Sequence, residues 1–180
     1  MKLVIASDIH GSADACRMLL DHATAEAPDR LVLLGDLLYH GPRNALPDGY
    51  DPAAVAALLN EAPWPITAVR GNCDAEVDQM VLDFPCRDTS AVIVDGDRTL
   101  FCTHGHVFAP DDHPELGPRA AFLTGHTHVK TLEARGGVLY VNPGSPSIPK
   151  DGSASFAVYD NGTFSLRDLA SGRVIEEISW

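Results

Sequence analysis

Five short polar clusters in this sequence share one placement, because each directly follows an apolar run that is typical of a β-strand. The clusters are Asp8-Ile9-His10, Gly35-Asp36, Gly71-Asn72-Cys73-Asp74, His104-Gly105-His106 and Gly125-His126-Thr127-His128. In α/β proteins the ligand site lies beyond the carboxyl ends of the strands. We therefore expect the five clusters to meet at one rim of the fold.

The side chains in these clusters are types that bind metal ions. Carboxylates, imidazoles and an amide oxygen together suit divalent ions such as Mn²⁺, Fe²⁺, Zn²⁺ or Mg²⁺. The seven candidate ligands are Asp8, His10, Asp36, Asn72, His104, His126 and His128. Seven ligands are too many for one ion, but they suit two ions that share a bridging carboxylate. Asp36, alone after its strand, is the candidate bridge; paired ions about 3.5–4 Å apart can activate a water between them.

The first half of the chain alternates strand and helix patterns. Compact Val/Leu/Ile runs predict buried strands at residues 2–7, 30–34 and 66–69. Apolar residues at three- and four-residue spacing predict a helix at residues 12–26. A second helix is expected at residues 53–60, because Asp51-Pro52 supplies an N-cap and a proline at the first helical position.

The second half of the chain has a different pattern. Short alternating runs predict strands at residues 91–94, 99–103, 138–141, 155–159, 163–169 and 174–178, in a largely antiparallel arrangement. Residues 37–50 form the longest irregular stretch, and loops of this length in compact domains are often functional.

Length and charge narrow the class of protein. The 180 residues predict a single domain spanning residues 1–180. Lysine and arginine number 13 against 25 acidic residues, a net charge of −12. Stable binding to nucleic acid or to an anionic membrane depends on basic surface, so we expect neither.

The apolar runs and the cysteines of the sequence predict the cellular compartment. No stretch approaches the roughly 20 apolar residues of a membrane span. The apolar run before Asp8 is shorter than the roughly 7–15-residue core of a secretory signal. The four cysteines form no Cys-x-x-Cys pair, which favours a reducing cytoplasm.

The order of the motifs resembles a known family. Asp-x-His, Gly-Asp, Gly-Asn-x-Asp, His and Gly-His-x-His, complete from Asp8 to His128, resemble the pattern of the calcineurin-like metallophosphoesterases. The segments Ser7-Asp8-Ile9-His10-Gly11, His40-Gly41-Pro42-Arg43-Asn44-Ala45-Leu46-Pro47, Arg70-Gly71-Asn72-Cys73-Asp74 and Asn142-Pro143-Gly144-Ser145 resemble the YfcE-type bacterial phosphodiesterases. This second resemblance extends over nearly the whole chain.

The resemblance implies an α/β (α+β) fold, a four-layer αββα sandwich of two mixed β-sheets flanked by helices. It also implies phosphodiesterase activity with a preference for manganese, and a homo-oligomer, either a dimer or a tetramer. By the same resemblance one metal would be held by Asp8, His10, Asp36 and His128, and the other by Asp36, Asn72, His104 and His126. Asn72 would also contact the substrate phosphate, which a hydroxide bridging the two metals would attack in line.

Cys73 is a departure from the family pattern. Many members place a histidine directly after the metal-binding asparagine, where it can protonate the leaving alkoxide, and the adjacent acid, here Asp74, orients it. A thiol, with an ordinary pKa of about 8.5, is a weaker hydrogen-bond donor and a poorer proton shuttle than imidazole. Our hypothesis is that catalysis depends on the metals more than on a general acid. His40 and His106 are the reserve candidates for that acid.

Substrate contacts are expected from Arg43, Asn44 and Arg70, because an arginine presents two parallel donors to phosphate oxygens. For Arg70, an ion pair with a neighbouring carboxylate is an equally good interpretation.

Three functions remain open on these residues. The leading one is hydrolysis of a small or exposed phosphodiester. A phosphomonoesterase or a dinucleoside polyphosphate hydrolase would use the same ligands and differ in the shape of the pocket. A catalytically silent binding scaffold of the same fold is the third, although the complete ligand set argues against it.

Overall fold

Two stacked β-sheets form the centre of the computed structural model, which describes residues 1–180. In chain order the elements are β1 (Lys2–Ala6), α1 (Ala13–Glu26), β2 (Arg30–Leu33), α2 (Pro52–Asn60), β3 (Ile66–Ala68), a 3₁₀ turn (Glu76–Met80), β4 (Ser90–Asp95), β5 (Arg98–Thr103), β6 (Ala120–Leu123), β7 (Thr131–Arg135), β8 (Val138–Asn142), β9 (Ser155–Asp160), β10 (Thr163–Asp168) and β11 (Val174–Ser179). Neither α-helix is long and apolar enough to cross a membrane.

Both sheets mix parallel and antiparallel pairs. The first sheet has the order β11-β10-β9-β1-β2-β3, in which β1, β2 and β3 are parallel and the other pairs antiparallel. The second has the order β4-β5-β6-β8-β7, with β5, β6 and β8 parallel. The expected sandwich of two mixed sheets is therefore confirmed. The second half of the chain contains two parallel pairs, where the strand pattern alone predicts a largely antiparallel arrangement.

The strand β1 is apolar and buried from Leu3 to Ala6. Val4 and Ala6 pack with residues of the two helices, whereas Leu3 and Ile5 pack against the second sheet. A strand that is buried on both faces needs apolar side chains at every position rather than at alternate ones.

Both α-helices begin where their sequences predict. The side chain of Ser12 accepts a hydrogen bond from the N–H of Ala15 at 3.2 Å and caps α1. The side chain of Asp51 accepts from the N–H of Ala54 at 3.0 Å, and Pro52 is the first residue of α2. Each cap satisfies one of the four N–H groups that a helix leaves without an internal partner.

The layers differ in one respect from the expected αββα arrangement. Both helices pack on the outer face of the first sheet. The outer face of the second sheet is covered by residues 104–119, from which His113 stacks on Phe122 with ring centroids 4.5 Å apart. This segment contains Pro110, Pro114 and Pro118, and prolines at this spacing prevent a continuous helix.

Candidate metal centre

The ends of strands from both sheets bring carboxylates and imidazoles together. Oδ1 of Asp8, after β1, lies 3.6 Å from Nε2 of His10 and 3.2 Å from Nε2 of His128, which follows β6. Oδ2 of Asp36, after β2, lies 3.6 Å from Nε2 of His10 and 3.4 Å from Nε2 of His104, which follows β5. Side chains from four of the five predicted clusters therefore share one buried site.

The other ring nitrogen of each histidine faces a backbone carbonyl. Nδ1 of His10 lies 2.8 Å from the oxygen of Tyr39, Nδ1 of His104 lies 2.7 Å from that of Leu34, and Nδ1 of His128 lies 2.9 Å from that of Ile148. A carbonyl oxygen only accepts, so each Nδ1 carries the proton and donates it. In the neutral rings each Nε2 then presents a lone pair to the centre, as in histidines that bind metals.

These lone pairs face other acceptors at close range. Nε2 of His10 lies 3.2 Å from Nε2 of His128, and Nε2 of His104 lies 3.1 Å from Oδ1 of Asn72. Oδ1 of Asp8 is buried and has no hydrogen-bond partner. A buried acceptor without a donor is costly, and facing acceptors need a proton or a metal cation between them. The site therefore fits divalent cations, and its Asp and His side chains are compatible with a dinuclear centre.

Two of the three tight groups of potential ligands contain only carboxylates and imidazoles. Asp8, His10 and His128 form one, and Asp8, Asp36 and His104 form the other; within each, the potential ligand atoms all lie within 4.8 Å of one another. His126 belongs to neither group. Its ring lies beside that of His104, with centroids 5.1 Å apart, and its backbone N–H donates to Oδ2 of Asp8 at 2.9 Å.

The pKa values report how strongly these groups interact. Burial alone would lower the pKa of His104, but its hydrogen bond to Asp36 and the charges of Asp8 and Asp36 raise it to about 9. Burial alone would raise the pKa of Asp8, but the imidazoles of His10, His128 and His104 beside it hold it below its usual range. Each charge is thus stabilised by its partners, and cations can replace the imidazole protons in that role.

The backbone at this site adopts an uncommon conformation. Five of the seven candidate ligands have left-handed φ angles, namely Asp8 (58°), His10 (49°), Asp36 (54°), His126 (66°) and His128 (58°). This conformation costs roughly 1–3 kcal/mol per non-glycine residue and persists only where the surroundings enforce it. Because five candidate ligands share this conformation, side chains that are close in the short loops point towards the same centre.

Asp74 organises the loops rather than facing the centre. Its carboxylate accepts hydrogen bonds from the backbone N–H groups of Asp36 (2.8 Å), Leu37 (2.8 Å) and Gly71 (2.6 Å). Burial and the charge of Asp36 raise the pKa of Asp74 to about 6, although these three donors oppose the shift. Asp74 therefore ties the loop after β2 to the loop after β3.

Two glycines allow the loops to approach the carboxylates. A Cβ atom at Gly71 would overlap Oδ1 of Asp36. A Cβ atom at Gly125 would overlap Oγ of Ser7 and lie 2.6 Å from Oδ2 of Asp8. Any side chain at either position would displace a candidate ligand.

The segment Asn142-Pro143-Gly144-Ser145 supports the rim from behind. The hydroxyls of Ser145 and Ser147 donate to the backbone oxygen of Asp8 at 2.8 and 3.0 Å. The amide of Asn142 donates to the backbone oxygen of Gly125 at 2.7 Å. The role of Ser147 was not predicted from the sequence, because a serine outside a motif carries no signal of its contacts.

Cys73 lies at the edge of the centre. Its Sγ accepts a hydrogen bond from Nδ2 of Asn72 at 3.2 Å and lies within 4.8 Å of the potential ligand atoms of His10 and Asp36. Burial and the negative charge of Asp36 raise the pKa of this thiol to about 12. The thiol therefore stays protonated at neutral pH and gives up its proton less readily than an unperturbed cysteine.

The two reserve candidates for a general acid are placed differently. The ring of His40 packs edge-on against Tyr39 and Tyr50, with centroids 4.8 and 5.4 Å away. It does not line the cavity that opens beside the centre. The ring of His106 lies 5.3 Å from that of His104, and burial together with the charge of His104 lowers its pKa. A histidine with a lowered pKa is mostly unprotonated at neutral pH and cannot donate a proton efficiently.

A cavity of about 1040 Å³ opens beside the centre. The predicted substrate contacts Arg43, Asn44 and Arg70 all line it. Arg70 also lies 3.5 Å from Glu76, so the ion pair and the cavity position coexist. Lys150 lines the cavity as well, a position that was not predicted from the sequence because no motif surrounds this residue.

The fold and the ligand set together define a class of protein, the calcineurin-like phosphoesterases. The model of the calcineurin-like phosphoesterase superfamily domain matches residues 1–163, and the chain belongs to this superfamily. It is 46% identical to the phosphodiesterase YfcE of Escherichia coli strain K12 over 180 residues, which cover 99% of this chain and 98% of that protein.

Solved structures agree with this assignment. The structure of Yfce, a phosphoesterase from E. coli, superposes with a TM-score of 0.96 at 46% identity and covers 99% of each chain. An archaeal phosphodiesterase (TM-score 0.67, 21% identity, 100% of each chain) and Vps29 of Entamoeba histolytica complexed with Zn²⁺ (0.67, 20%, 99% of each chain) share the fold alone.

Proposed function

We propose that this chain is a metal-dependent phosphodiesterase that hydrolyses small or exposed phosphodiesters. The observation that carries the proposal is the set of facing acceptors: Nε2 of His10, Nε2 of His128 and the unpartnered Oδ1 of Asp8 converge without a donor. A site of this kind stabilises cations. The name of the E. coli relative, a phosphodiesterase, supports a diester as the substrate.

The ligands divide between two ions. Asp8, His10, Asp36 and His128 would hold one, and Asp36, Asn72, His104 and His126 the other. When bound, the two cations supply Lewis acidity for the phosphoryl oxygens and a nucleophile formed from water at neutral pH. The carboxylate, imidazole and amide ligands suit Mn²⁺, Fe²⁺, Zn²⁺ and Mg²⁺ alike. Of these we favour Mn²⁺, which the resemblance to the YfcE-type phosphodiesterases implies.

The chain's own residues bind and orient the substrate. Arg43, Arg70 and Lys150 present positive charge to the cavity, where an anionic diester needs it. Asp74 fixes the loop that carries Asn72 and Cys73. The thiol of Cys73 keeps its proton near neutral pH, so protonation of the leaving group contributes little and good leaving groups are favoured.

Parallel assays test the proposal. Aryl phosphodiesters, aryl phosphomonoesters and a dinucleoside polyphosphate are each incubated with the protein and Mn²⁺, Fe²⁺, Zn²⁺ or Mg²⁺. We expect the diesters to be hydrolysed fastest, and fastest with Mn²⁺. Preference for a monoester or a polyphosphate would overturn the diester assignment. Absence of bound metal together with absence of turnover would favour a binding scaffold.

We also propose self-association as a dimer or tetramer. The edge strand β4 exposes Val92 (58%) and Val94 (64%), whereas the edge strands β7 and β11 carry the exposed charges of Glu133 and Glu176. Charges protect sheet edges from pairing, and β4 lacks them between its ends. We expect Val92→Lys to lower the mass measured by light scattering, and Val174→Lys on β11 to leave it unchanged. A monomeric wild-type protein would contradict the proposal.

A cytoplasmic location and a single domain complete the proposal. All four cysteines are free thiols, which suits a reducing compartment. The candidate ligands come from strands of both sheets, so neither sheet alone would hold the site. Detection of the protein in a membrane or extracellular fraction would contradict the cytoplasmic location. Two separate unfolding transitions would contradict the single domain.

A further inference from the structure

Two positively charged side chains that line the cavity beside the candidate centre form no ion pair or side-chain hydrogen bond with the protein. The chain has 13 lysines and arginines, and eight of them form ion pairs with carboxylates. Arg30 and Arg98 instead donate to a threonine hydroxyl and a backbone oxygen. Only the side chains of Arg43, Lys150 and Arg173 make neither contact. In a chain with 25 acidic residues, two of these three cations line the same cavity.

The loop that carries Arg43 is fixed beside the candidate centre. Nδ2 of Asn44 donates to the backbone oxygen of His40 at 2.8 Å and closes the loop. A Cβ atom at Gly41 would lie 2.9 Å from Sγ of Cys73, so this loop packs directly against the cysteine. Arg43 is exposed and its guanidinium is free to bind an anion.

Lys150 is fixed on a different segment. Its backbone N–H donates to the backbone oxygen of His128 at 3.0 Å, which places it next to a candidate ligand. The adjacent carboxylate of Asp151 is engaged by Lys130, whose Nζ and backbone N each lie 2.6 Å from it. The side chain of Lys150 therefore has no carboxylate partner in the cavity.

We propose that the cavity binds phosphodiesters that carry a second anionic group, a phosphate or a carboxylate, which Arg43 and Lys150 hold. This inference rests on the proposed phosphodiesterase function. The volume of about 1040 Å³ leaves room for a substituent larger than the diester itself, and only three of the sixteen lining residues are hydrophobic. An unpaired cation gains more from an incoming anion than a paired one, because no carboxylate has to be displaced.

Three matched substrates test the inference. They are the p-nitrophenyl ester of thymidine 5′-phosphate, the same ester with a 3′-phosphate, and the same ester with a 3′-O-succinyl group, each assayed with Mn²⁺. We expect the added anion to raise kcat/KM by about tenfold, mainly through a lower KM. A gain with the phosphate alone, or with the succinyl group alone, would identify the anion. Equal kcat/KM for all three would overturn the inference and leave the phosphodiesterase function standing.

Matched variants assign the effect to the two residues. In the double variant Arg43→Gln/Lys150→Gln we expect kcat/KM to become nearly equal for the three esters. Arg173→Gln, which neutralises the third unpartnered cation outside the cavity, should retain the tenfold gain. A gain that survives in the double variant would overturn the inference.

A binding measurement separates this inference from the proposed function. Calorimetric titration compares thymidine 3′,5′-bisphosphate with thymidine 5′-monophosphate. We expect tighter binding of the bisphosphate to the wild type and to Arg173→Gln, but not to the double variant. If no ester is hydrolysed, the proposed function fails, and this comparison still decides whether the second anion is bound. Equal affinities for the two nucleotides would overturn the inference.

Discussion

The backbone N–H of Cys73 donates a hydrogen bond to Oδ1 of Asp36 at 2.7 Å. This contact leaves Oδ2 of Asp36 as the oxygen that faces both His10 (3.6 Å) and His104 (3.4 Å). A single carboxylate oxygen is therefore held between the two groups of histidines. This is the position that a bridging ligand between two cations requires.

Replacement of Asp36 should affect both ions at once. In Asp36→Asn we expect the bound metal to fall well below two ions per chain and turnover to fall by about 100-fold or more, because the shared negative charge is lost. Elemental analysis and a diester assay measure the two effects. Asp21→Asn is the matched control, since Asp21 is exposed and lies outside the site. Near-normal turnover in Asp36→Asn would refute the bridging role.

Metal binding should strengthen as pH rises. The pKa of His104 is raised to about 9, so at neutral pH its ring is protonated until a cation displaces the proton. One displaced proton makes the apparent affinity for Mn²⁺ rise about tenfold per pH unit below that pKa. Calorimetry in buffers with different ionisation enthalpies counts the protons released. His113→Gln should release as many as the wild type, and an affinity independent of pH would contradict the expectation.

The rate should depend steeply on the leaving group. The pKa of Cys73, raised to about 12, makes it a poor acid, so esters with leaving groups of low pKa should be cleaved best. In Cys73→His we expect a shallower dependence, because imidazole can protonate the leaving alkoxide. Rates for a series of aryl and alkyl diesters measure the slope. A flat dependence in the wild type that Cys73→Ser leaves unchanged would count against this account.

A methyl group at Gly125 should disrupt the centre although no candidate ligand is replaced. In Gly125→Ala the added Cβ would overlap Oγ of Ser7 and press on Oδ2 of Asp8. We expect weaker metal binding and loss of most turnover. Gly117→Ala is the matched control, because a Cβ there meets nothing within 4 Å. If Gly125→Ala binds metal as tightly as Gly117→Ala, the rim is less closely packed than its contacts indicate.

The sequence by itself determined the strands that end at the site and the types of residue that follow them. Apolar runs such as residues 30–34 are local signals, and so is the aspartate that follows. The prediction of two helices was confirmed because Ser12 and Asp51 cap them locally. The strand β7 was missed, since the exposed Glu133 and Arg135 interrupt its apolar pattern.

Only the tertiary structure decided how the candidate ligands face one another. The tautomer of His10 depends on the carbonyl of Tyr39, and its lone pair meets His128, 118 residues away. The left-handed backbone that aims these side chains is enforced by long-range contacts such as that of Ser145 with Asp8. Likewise, the order of residues does not reveal that Lys150 lines the cavity or that His40 does not. Local propensity fixes the elements, whereas the site arises from contacts between segments that are distant in the chain.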